Sequence, residues 1–199
     1  MINIVIGCLG FIITHSFDIA ALSGIRKIKP VIWLTGNGLI AYSLVSLCIS
    51  LPKLGLPSWL MWVGWPLVLF GLFFQVVAIT NDLPLKKTYV ESGTGDQLIK
   101  TGFFALARHP GVIFFIFLTV GLTLVSDSLL MLIAVPVFGA LDVILVIIQD
   151  KYFFPKMFAG YSEYRKETPS ILPTINSIKA CIRTIKRPQA KIKEEKTNV

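Results

Sequence analysis

The sequence predicts an all-α integral membrane protein with about five transmembrane helices, from its composition and from the length of its apolar stretches. The chain has 199 residues, of which 54% are hydrophobic and only 15% are charged. Soluble domains carry about 25% charged residues, so a water-soluble fold is excluded. Polar residues gather in segments that separate the apolar stretches. This arrangement predicts one polytopic membrane domain, residues 1–173, followed by a tail, residues 174–199.

Each apolar stretch is long enough, or nearly so, to cross a bilayer, whose hydrocarbon core of about 30 Å needs roughly 20 helical residues. The predicted transmembrane helices are Ile2–Leu22, Val31–Leu51, Trp59–Thr80, Gly111–Val125 and Leu129–Ile148. The fourth is short, and only Ser126-Asp127-Ser128 separates it from the fifth. These two stretches predict a tight helical hairpin, with the fourth helix extended by residues before Arg108.

The distribution of basic residues predicts the orientation, because Lys and Arg concentrate in cytoplasmic loops. The first and third loops contain Arg26, Lys27, Lys29, Lys86, Lys87, Lys100 and Arg108, whereas the second contains only Lys53 and the fourth none. We therefore expect a multi-pass protein of the cell membrane with its N-terminus outside and its C-terminus in the cytoplasm. No basic segment precedes the first helix, so we expect it to be retained rather than cleaved as a signal peptide.

The C-terminal tail, residues 174–199, is basic and amphipathic, with seven Lys or Arg against two Glu. Apolar and basic side chains alternate at helical spacing: Ile175, Ile178, Ile182 and Ile185, with Lys179, Arg183, Lys186 and Arg187 between them. This pattern predicts a helix on the anionic inner leaflet, although a solvated tail is the alternative. The net charge of +8 is thus expected to serve topology and contact with membrane lipids, and no nucleic-acid binding is predicted.

Several kinds of site find no support in the sequence. The three cysteines, Cys8, Cys48 and Cys181, have no metal-binding, redox or disulfide spacing, and no metal site is predicted. The segment Ser92-Gly93-Thr94-Gly95 lies in a long polar loop, residues 81–107, without the strand–helix context of a phosphate-binding loop. We therefore discount a P-loop or Rossmann domain.

Ionisable residues within apolar helices are candidates for function, because charge is costly in hydrocarbon. His15 and Asp18 lie one turn apart and are expected to pair with each other or with an arginine, or to tie helices together. Asp142, Gln149 and Asp150 fall near one face of the fifth helix. We expect Asp142 to be neutral or paired, and to face protein rather than lipid.

Arg108-His109-Pro110 stands where the third loop meets the fourth apolar stretch. Proline is tolerated in the first turn of a helix, so the triplet predicts a helix start at the water–lipid boundary. A helix N-terminus attracts anions, which makes this position a candidate docking point for a soluble ligand. The simpler alternatives are a snorkelling anchor for Arg108 and a helix cap for His109.

Four features follow one another in the last part of the membrane domain. They are the segment Thr101–Pro110 with its Arg-His-Pro ending, the hairpin, the pair Tyr161 and Tyr164, and Leu172-Pro173. In this order they resemble the isoprenylcysteine carboxyl methyltransferase family and its bacterial relatives. Members of that family are integral membrane enzymes that use S-adenosylmethionine. The resemblance covers a methyltransferase-like core, residues 81–173.

The resemblance implies a site for S-adenosylmethionine at the cytoplasmic ends of the hairpin helices. It also implies an enzyme that methylates a lipid-like or small hydrophobic acceptor. By analogy the cofactor-binding residues are Gly102, Phe104, Ala107, His109, Pro110, Gln149, Tyr161 and Tyr164, and the catalytic residues are Arg108 and Asp150. Arg108 would favour the cofactor's carboxylate. Asp150 would contact its amino or ribose groups, or orient the acceptor.

The chain departs from the family pattern near the hairpin. The tyrosine after Arg-His-Pro-x is Val112, the glycine two residues later is Phe114, and the Glu-Glu pair is Gln149-Asp150. These departures leave open a non-catalytic relative with the same scaffold. Sterol and steroid reductases, which use NADPH, have a similar hairpin. Their usual His-Pro-Asn-Tyr is replaced here by His-Pro-Gly-Val, which argues against a reductase.

Overall fold

The computed structural model describes residues 1–25, 28–78 and 98–185, and within these ranges the chain is mainly helical, with no strand. The helices are α1 (Ile2–His15), α2 (Phe17–Leu22), α3 (Lys29–Cys48), α4 (Trp59–Val77), α5 (Phe103–Leu106), α6 (Pro110–Ser126), α7 (Leu129–Ile148), α8 (Phe154–Met157), α9 (Tyr161–Glu167) and α10 (Ile175–Ile185). A five-residue π-helical turn, Gln149–Phe153, joins α7 to α8. The predicted all-α membrane fold is confirmed.

Some sequence predictions fall outside the described residues. They concern the Ser92–Gly95 segment with most of its loop, the basic residues Arg26, Lys27, Lys86 and Lys87, and the tail after Ile185.

Four helical segments are long and apolar enough to cross a membrane: Ile2–Leu22, Lys29–Cys48, Trp59–Val77 and Leu129–Met157. Helix α6 is equally apolar but has 17 residues, which is the lower limit for a transmembrane helix. Large apolar side chains point away from the protein, as Trp62 and Phe73 do on α4. So much exposed apolar surface is unfavourable in water and fits contact with lipid.

The expected extension of the fourth transmembrane helix before Arg108 is wrong. Helix α6 begins at Pro110, and α5 is a separate single turn. Between them Ala107 has φ −154° and ψ 154°, and His109 has φ −124° and ψ 65°. His109 cannot continue a helix easily, because the residue before a proline is disfavoured in the helical region.

Small residues allow α4 and α6 to pack closely. A Cβ atom added to Gly71 would lie 2.5 Å from Leu118 N, and one added to Gly121 would lie 2.7 Å from Val68 N. Close backbone approach of this kind is a common way for helices to associate in membranes. Helix α1 packs along α3, and α7 contacts α1, α3 and α6. The apolar core between α1, α3 and α7 includes Phe11, Leu47 and Phe138.

The turn between α6 and α7 forms the predicted tight hairpin. Asp127 ends α6 with φ 54°, and its carboxylate accepts hydrogen bonds from Gly55 N at 3.2 Å and Leu56 N at 2.9 Å. Ser128 caps α7 and donates from Oγ to Leu47 O at 2.7 Å. Because the hairpin closes here, the start of α6 and the end of α7 lie together on the opposite side of the bundle, which we call the site side.

The ionisable residues of α1 and α2 tie these helices to the end of α7. His15 Nε2 lies 3.7 Å from Asp142 Oδ1, and Gln149 Nε2 donates to Asp18 Oδ2 at 2.6 Å. His15 therefore contacts α7, and Asp18 contacts the π turn that follows it, rather than each other, which confirms the expectation that they tie helices together. Asp142 is buried and paired, as expected.

Candidate active site

Two backbone hydrogen bonds fix the segment between α5 and α6 on the site side. Arg108 N donates to Pro169 O at 2.9 Å, and His109 N donates to Ser170 O at 2.9 Å. The chain after α9 is thereby docked against the start of α6. Arg108 and His109 are only 9% and 8% exposed, so both side chains are buried between this segment and the end of α7.

The carboxylate of Asp150 is the centre of the site. It accepts hydrogen bonds from Arg108 Nε at 3.3 Å, from Arg108 Nη2, from Ser170 Oγ at 3.1 Å and from the hydroxyl of Tyr161. His109 Nε2 lies 3.0 Å from its Oδ1. Both carboxylate oxygens are thus shared among four side chains, and the pairing with Arg108 balances the buried charge.

The guanidinium of Arg108 is satisfied on its other side as well. Its Nη1 donates to Arg165 O at 3.0 Å and to Thr168 O at 2.6 Å. Burial alone lowers the pKa of Arg108, but the hydrogen bonds and the charge of Asp150 raise it above its ordinary value. Arg108 is therefore a buried cation with a full set of acceptors. The snorkelling alternative does not hold, because a snorkelling side chain keeps its charge in water.

The two tyrosines of α9 act as protonated donors. Burial raises the pKa of Tyr161 well above its usual range, and the hydrogen bond and charge of Asp150 raise it further. Burial also raises the pKa of Tyr164, whose hydroxyl donates to Phe104 O at 2.6 Å. Tyr161 therefore orients Asp150, and Tyr164 holds the segment before Arg108.

The ring of His109 has one nitrogen that no described residue hydrogen-bonds. An ionised carboxylate only accepts, so the 3.0 Å contact with Asp150 places a proton on Nε2. In the tautomer with a proton on Nε2 alone, the lone pair lies on Nδ1. The side chain does not cap α6, so the capping alternative does not hold. Phe154 stacks on the ring at 5.6 Å and an interplanar angle of 16° and fixes its plane.

The π-helical turn sends neighbouring side chains in different directions. Asp142, Gln149 and Asp150 contact His15, Asp18 and Arg108, respectively. The three residues were predicted to share one face of the helix, but each of them contacts a different partner. Isolated π turns are rare in proteins and are frequent at functional sites.

The segment 102–107 forms one wall of the site. Gly102 has φ 61°, which favours glycine, and its N–H donates to Thr184 Oγ1 of α10 at 3.0 Å. Ala107 is completely buried. Of the predicted site residues, the structure gathers Arg108, His109, Asp150 and Tyr161 in one cluster. Tyr164 binds Phe104 beside it, Ala107 and Pro110 flank Arg108 and His109 in the chain, Gly102 binds Thr184 of α10, and Gln149 points to α2.

Three residues at the site were missed by the sequence analysis: Ser170, Phe154 and Gln75. Gln75 lies in the last turn of α4 beside the start of α6, where a Cβ on Gly111 would lie 3.3 Å from its Nε2. Its Oε1 is buried and has no hydrogen-bond partner among the described residues. A polar residue near the end of an apolar helix was the available signal. Ser170 had none, because only the folded chain brings it to Asp150.

One departure from the expected family pattern, Phe114, has a physical cause in the packing. Phe114 is 4% exposed, and its ring lies 5.5 Å from that of Phe74 and 5.3 Å from that of Phe103. Phe70 and Phe117 extend this aromatic row to the partly exposed surface of α4 and α6. A glycine in place of Phe114 would leave a cavity in the row.

Comparison with known proteins identifies the family of the chain. The model of the phospholipid methyltransferase family matches residues 59–160, about half of the chain, including Arg108, His109 and Asp150. Neither the curated proteins nor the solved structures contain a significant match. Membership in the isoprenylcysteine branch is not confirmed, whereas the broader prediction of a membrane methyltransferase family is. The chain belongs to the phospholipid methyltransferase family.

Proposed function

We propose that this protein is an S-adenosylmethionine-dependent methyltransferase that binds its cofactor beside Arg108 and His109. The observation that carries the proposal is the buried cluster around Asp150, of which Arg108, His109 and Asp150 itself lie within the segment matched by the family model. Members of this family generally use S-adenosylmethionine. The cluster joins the start of α6 to the end of α7.

The residues present fit this cofactor. Its ammonium, ribose and adenine groups are hydrogen-bond donors, which suit the unpaired Oε1 of Gln75. Its carboxylate suits the N–H of Gly111 at the start of α6, because Pro110 has no N–H and Val112 N already donates to His109 O at 3.3 Å. The aromatic row around Phe74 and Phe103 offers ring faces that attract a cation. When bound, the cofactor supplies an electrophilic methyl group.

The side chains of the site orient one another and exchange a proton. Asp150 has its oxygens shared among four side chains, so we assign it the role of a positioning residue that fixes Arg108 and His109. Nδ1 of His109 is the available proton acceptor, and methylation of a protic nucleophile releases one proton. The aromatic row provides an apolar approach for a lipid-borne acceptor from the bilayer.

Isothermal titration of the detergent-purified protein tests the cofactor. We expect micromolar dissociation constants for S-adenosylmethionine and S-adenosylhomocysteine, with a loss of at least about tenfold in His109→Ala and in Gln75→Leu. Tyr152→Phe is the matched control, since Tyr152 is half exposed near the site, and it should bind as the wild type does. Binding of NADPH alone would contradict the proposal.

A non-catalytic member of the family is the second candidate. It is favoured by the saturation of Asp150 with partners from the same chain and by Val112 in place of the family tyrosine. Absence of binding for all three ligands supports this candidate.

The site side is proposed to face the cytoplasm, with the N-terminus outside the cell. The density of Lys and Arg on the first and third loops supports this orientation. In a background without the three native cysteines, Asp127→Cys should react with an impermeant reagent on intact cells. Protection of Asp127→Cys together with external labelling of Gly95→Cys would reverse the orientation.

A further inference from the structure

Helix α10 carries its apolar face away from the protein. Ile175, Ile178, Ile182 and Ile185 are 73%, 43%, 55% and 55% exposed. The side that packs on the protein is made of small or polar residues, of which Ser177 and Cys181 are 4% and 6% exposed. An amphipathic helix of a soluble protein has the reverse arrangement, with its apolar face against the core.

Three sectors divide the surface of α10. With 3.6 residues per turn, the four isoleucines fall within about 80° of the helix circumference. Ser177, Cys181 and Thr184 occupy the sector against the protein. Lys179 and Arg183 occupy the third sector, which borders the isoleucines. A helix with an apolar sector beside a basic one suits an interface between lipid tails and anionic headgroups.

The neighbours of α10 place it where the chain enters the membrane. Gly102 N donates to Thr184 Oγ1 at 3.0 Å, so α10 is joined to the residue that precedes α5. Only Ala107, Arg108 and His109 separate α5 from α6. Thr184 Oγ1 donates in turn to Ala180 O at 2.8 Å, which fixes its position on α10.

We propose that α10 docks on the surface of an anionic lipid leaflet, with its isoleucines among the upper acyl chains and Lys179 and Arg183 at the headgroups. A second copy of the chain fits this face less well. Two antiparallel α10 helices that paired their isoleucines would bring the bordering basic residues of both copies together. Anionic lipid complements the same charges, and each basic residue near such a surface adds to the attraction.

Docking also has a consequence for the neighbouring segment. The hydrogen bond from Gly102 to Thr184 transmits the position of α10 to the wall of the site. The lipid surface therefore holds residues 102–106 in place. The docking of α10 on lipid does not depend on the proposed methyltransferase activity. The role of residues 102–106 in holding a cofactor does rest on that proposed function.

Spin labels on single cysteines measure the depth of α10. The full chain with Cys8→Ala, Cys48→Ala and Cys181→Ser is reconstituted in phosphatidylcholine vesicles with or without phosphatidylglycerol. Labels at Ile178→Cys and Ile182→Cys should collide more with oxygen than with a water-soluble nickel chelate, and the exposed control Asn176→Cys should do the reverse. Chelate access at Ile178 equal to that at Asn176, or spin–spin broadening from a second copy, overturns the proposal.

The charge requirement is tested in the same vesicles. Phosphatidylglycerol should move the labels deeper, and the pair Lys179→Gln/Arg183→Gln should reduce this shift. Equal depth with and without phosphatidylglycerol overturns the assignment to an anionic surface.

Hydrogen–deuterium exchange tests the link to the site. Thr184→Val should speed exchange in the peptide that contains Gly102, whereas Thr184→Ser retains the hydroxyl and should exchange as the wild type does. Equal exchange in both variants contradicts the link. None of these measurements uses S-adenosylmethionine, so their failure is distinct from failure of the titration proposed above.

Discussion

Asp150 joins residues that are far apart in the sequence. Arg108 and His109 precede α6, Tyr161 begins α9, and Ser170 lies in the segment that follows α9. A buried ion pair contributes little net stability compared with apolar residues, but removal of one partner leaves an uncompensated charge. The cluster therefore serves mainly to orient its side chains. Removal of one charged partner would nevertheless destabilise the fold.

The variant Asp150→Leu should destabilise the protein by about 3–5 kcal/mol, because Arg108 would stay buried without its counter-charge. The double variant Arg108→Leu/Asp150→Leu should recover part of this loss, since it removes both charges. Thermal unfolding in detergent measures the difference. Equal destabilisation in the single and double variants would show that the two charges are not coupled.

The raised pKa of Tyr161 predicts a dependence of stability on alkaline pH. A phenol in the unfolded chain titrates near 10, whereas the folded state retains the proton at higher pH. The stabilisation is therefore complete below pH 10 and decreases as the pH rises above it. The melting temperature of Tyr161→Phe should fall less than that of the wild type between pH 9 and pH 11. Parallel decreases in both proteins would contradict this.

At the scale of elements, the link between α2 and the π turn accounts for a departure from the expected family pattern. Gln149 stands where the isoprenylcysteine family has glutamate, and its amide donates to the buried carboxyl of Asp18. A glutamate at that position would face Asp18 without a donor. The residue type at position 149 is therefore matched to its partner on α2.

This match predicts compensation between the two positions. Gln149→Glu should destabilise the protein by about 1–3 kcal/mol, because a buried acceptor loses its donor. Adding Asp18→Asn places an amide donor on α2 for the carboxylate at position 149, and this should recover most of the loss. A double-mutant cycle on thermal unfolding tests the coupling, and additive effects would refute it.

The sequence could predict the membrane-spanning elements because hydropathy and length determine them locally. Leu129–Ile148 was predicted with its observed bounds, and the hairpin at Asp127 was predicted from three polar residues. The π turn and the contacts of Ser170 could not be predicted, because they depend on hydrogen bonds between distant segments. Gln75 was missed because its significance lies in an unpaired oxygen, which only the packed structure reveals.

At the scale of the whole molecule, the site lies where two packed groups of helices meet. One group is α4 with α6, which brings Gln75 beside Gly111, and the other is α1 and α3 with α7, which brings Asp150. The distance between the backbones of α4 and α6 therefore sets the position of Gln75. That distance depends on glycines far from the cluster.

Substitution of Gly71 should separate these helices and affect stability and ligand binding together. In Gly71→Ala the new Cβ would lie 2.5 Å from Leu118 N and 2.6 Å from Phe114 O, so the backbones must move apart. Such overpacking costs about 1–3 kcal/mol. Gly139→Ala is the matched control, since a Cβ there meets no atom within 4 Å. We expect Gly71→Ala to lower both the melting temperature in detergent and the affinity for S-adenosylmethionine, and Gly139→Ala to change neither. A normal affinity in Gly71→Ala would show that the packing of α4 on α6 does not position Gln75 for the ligand.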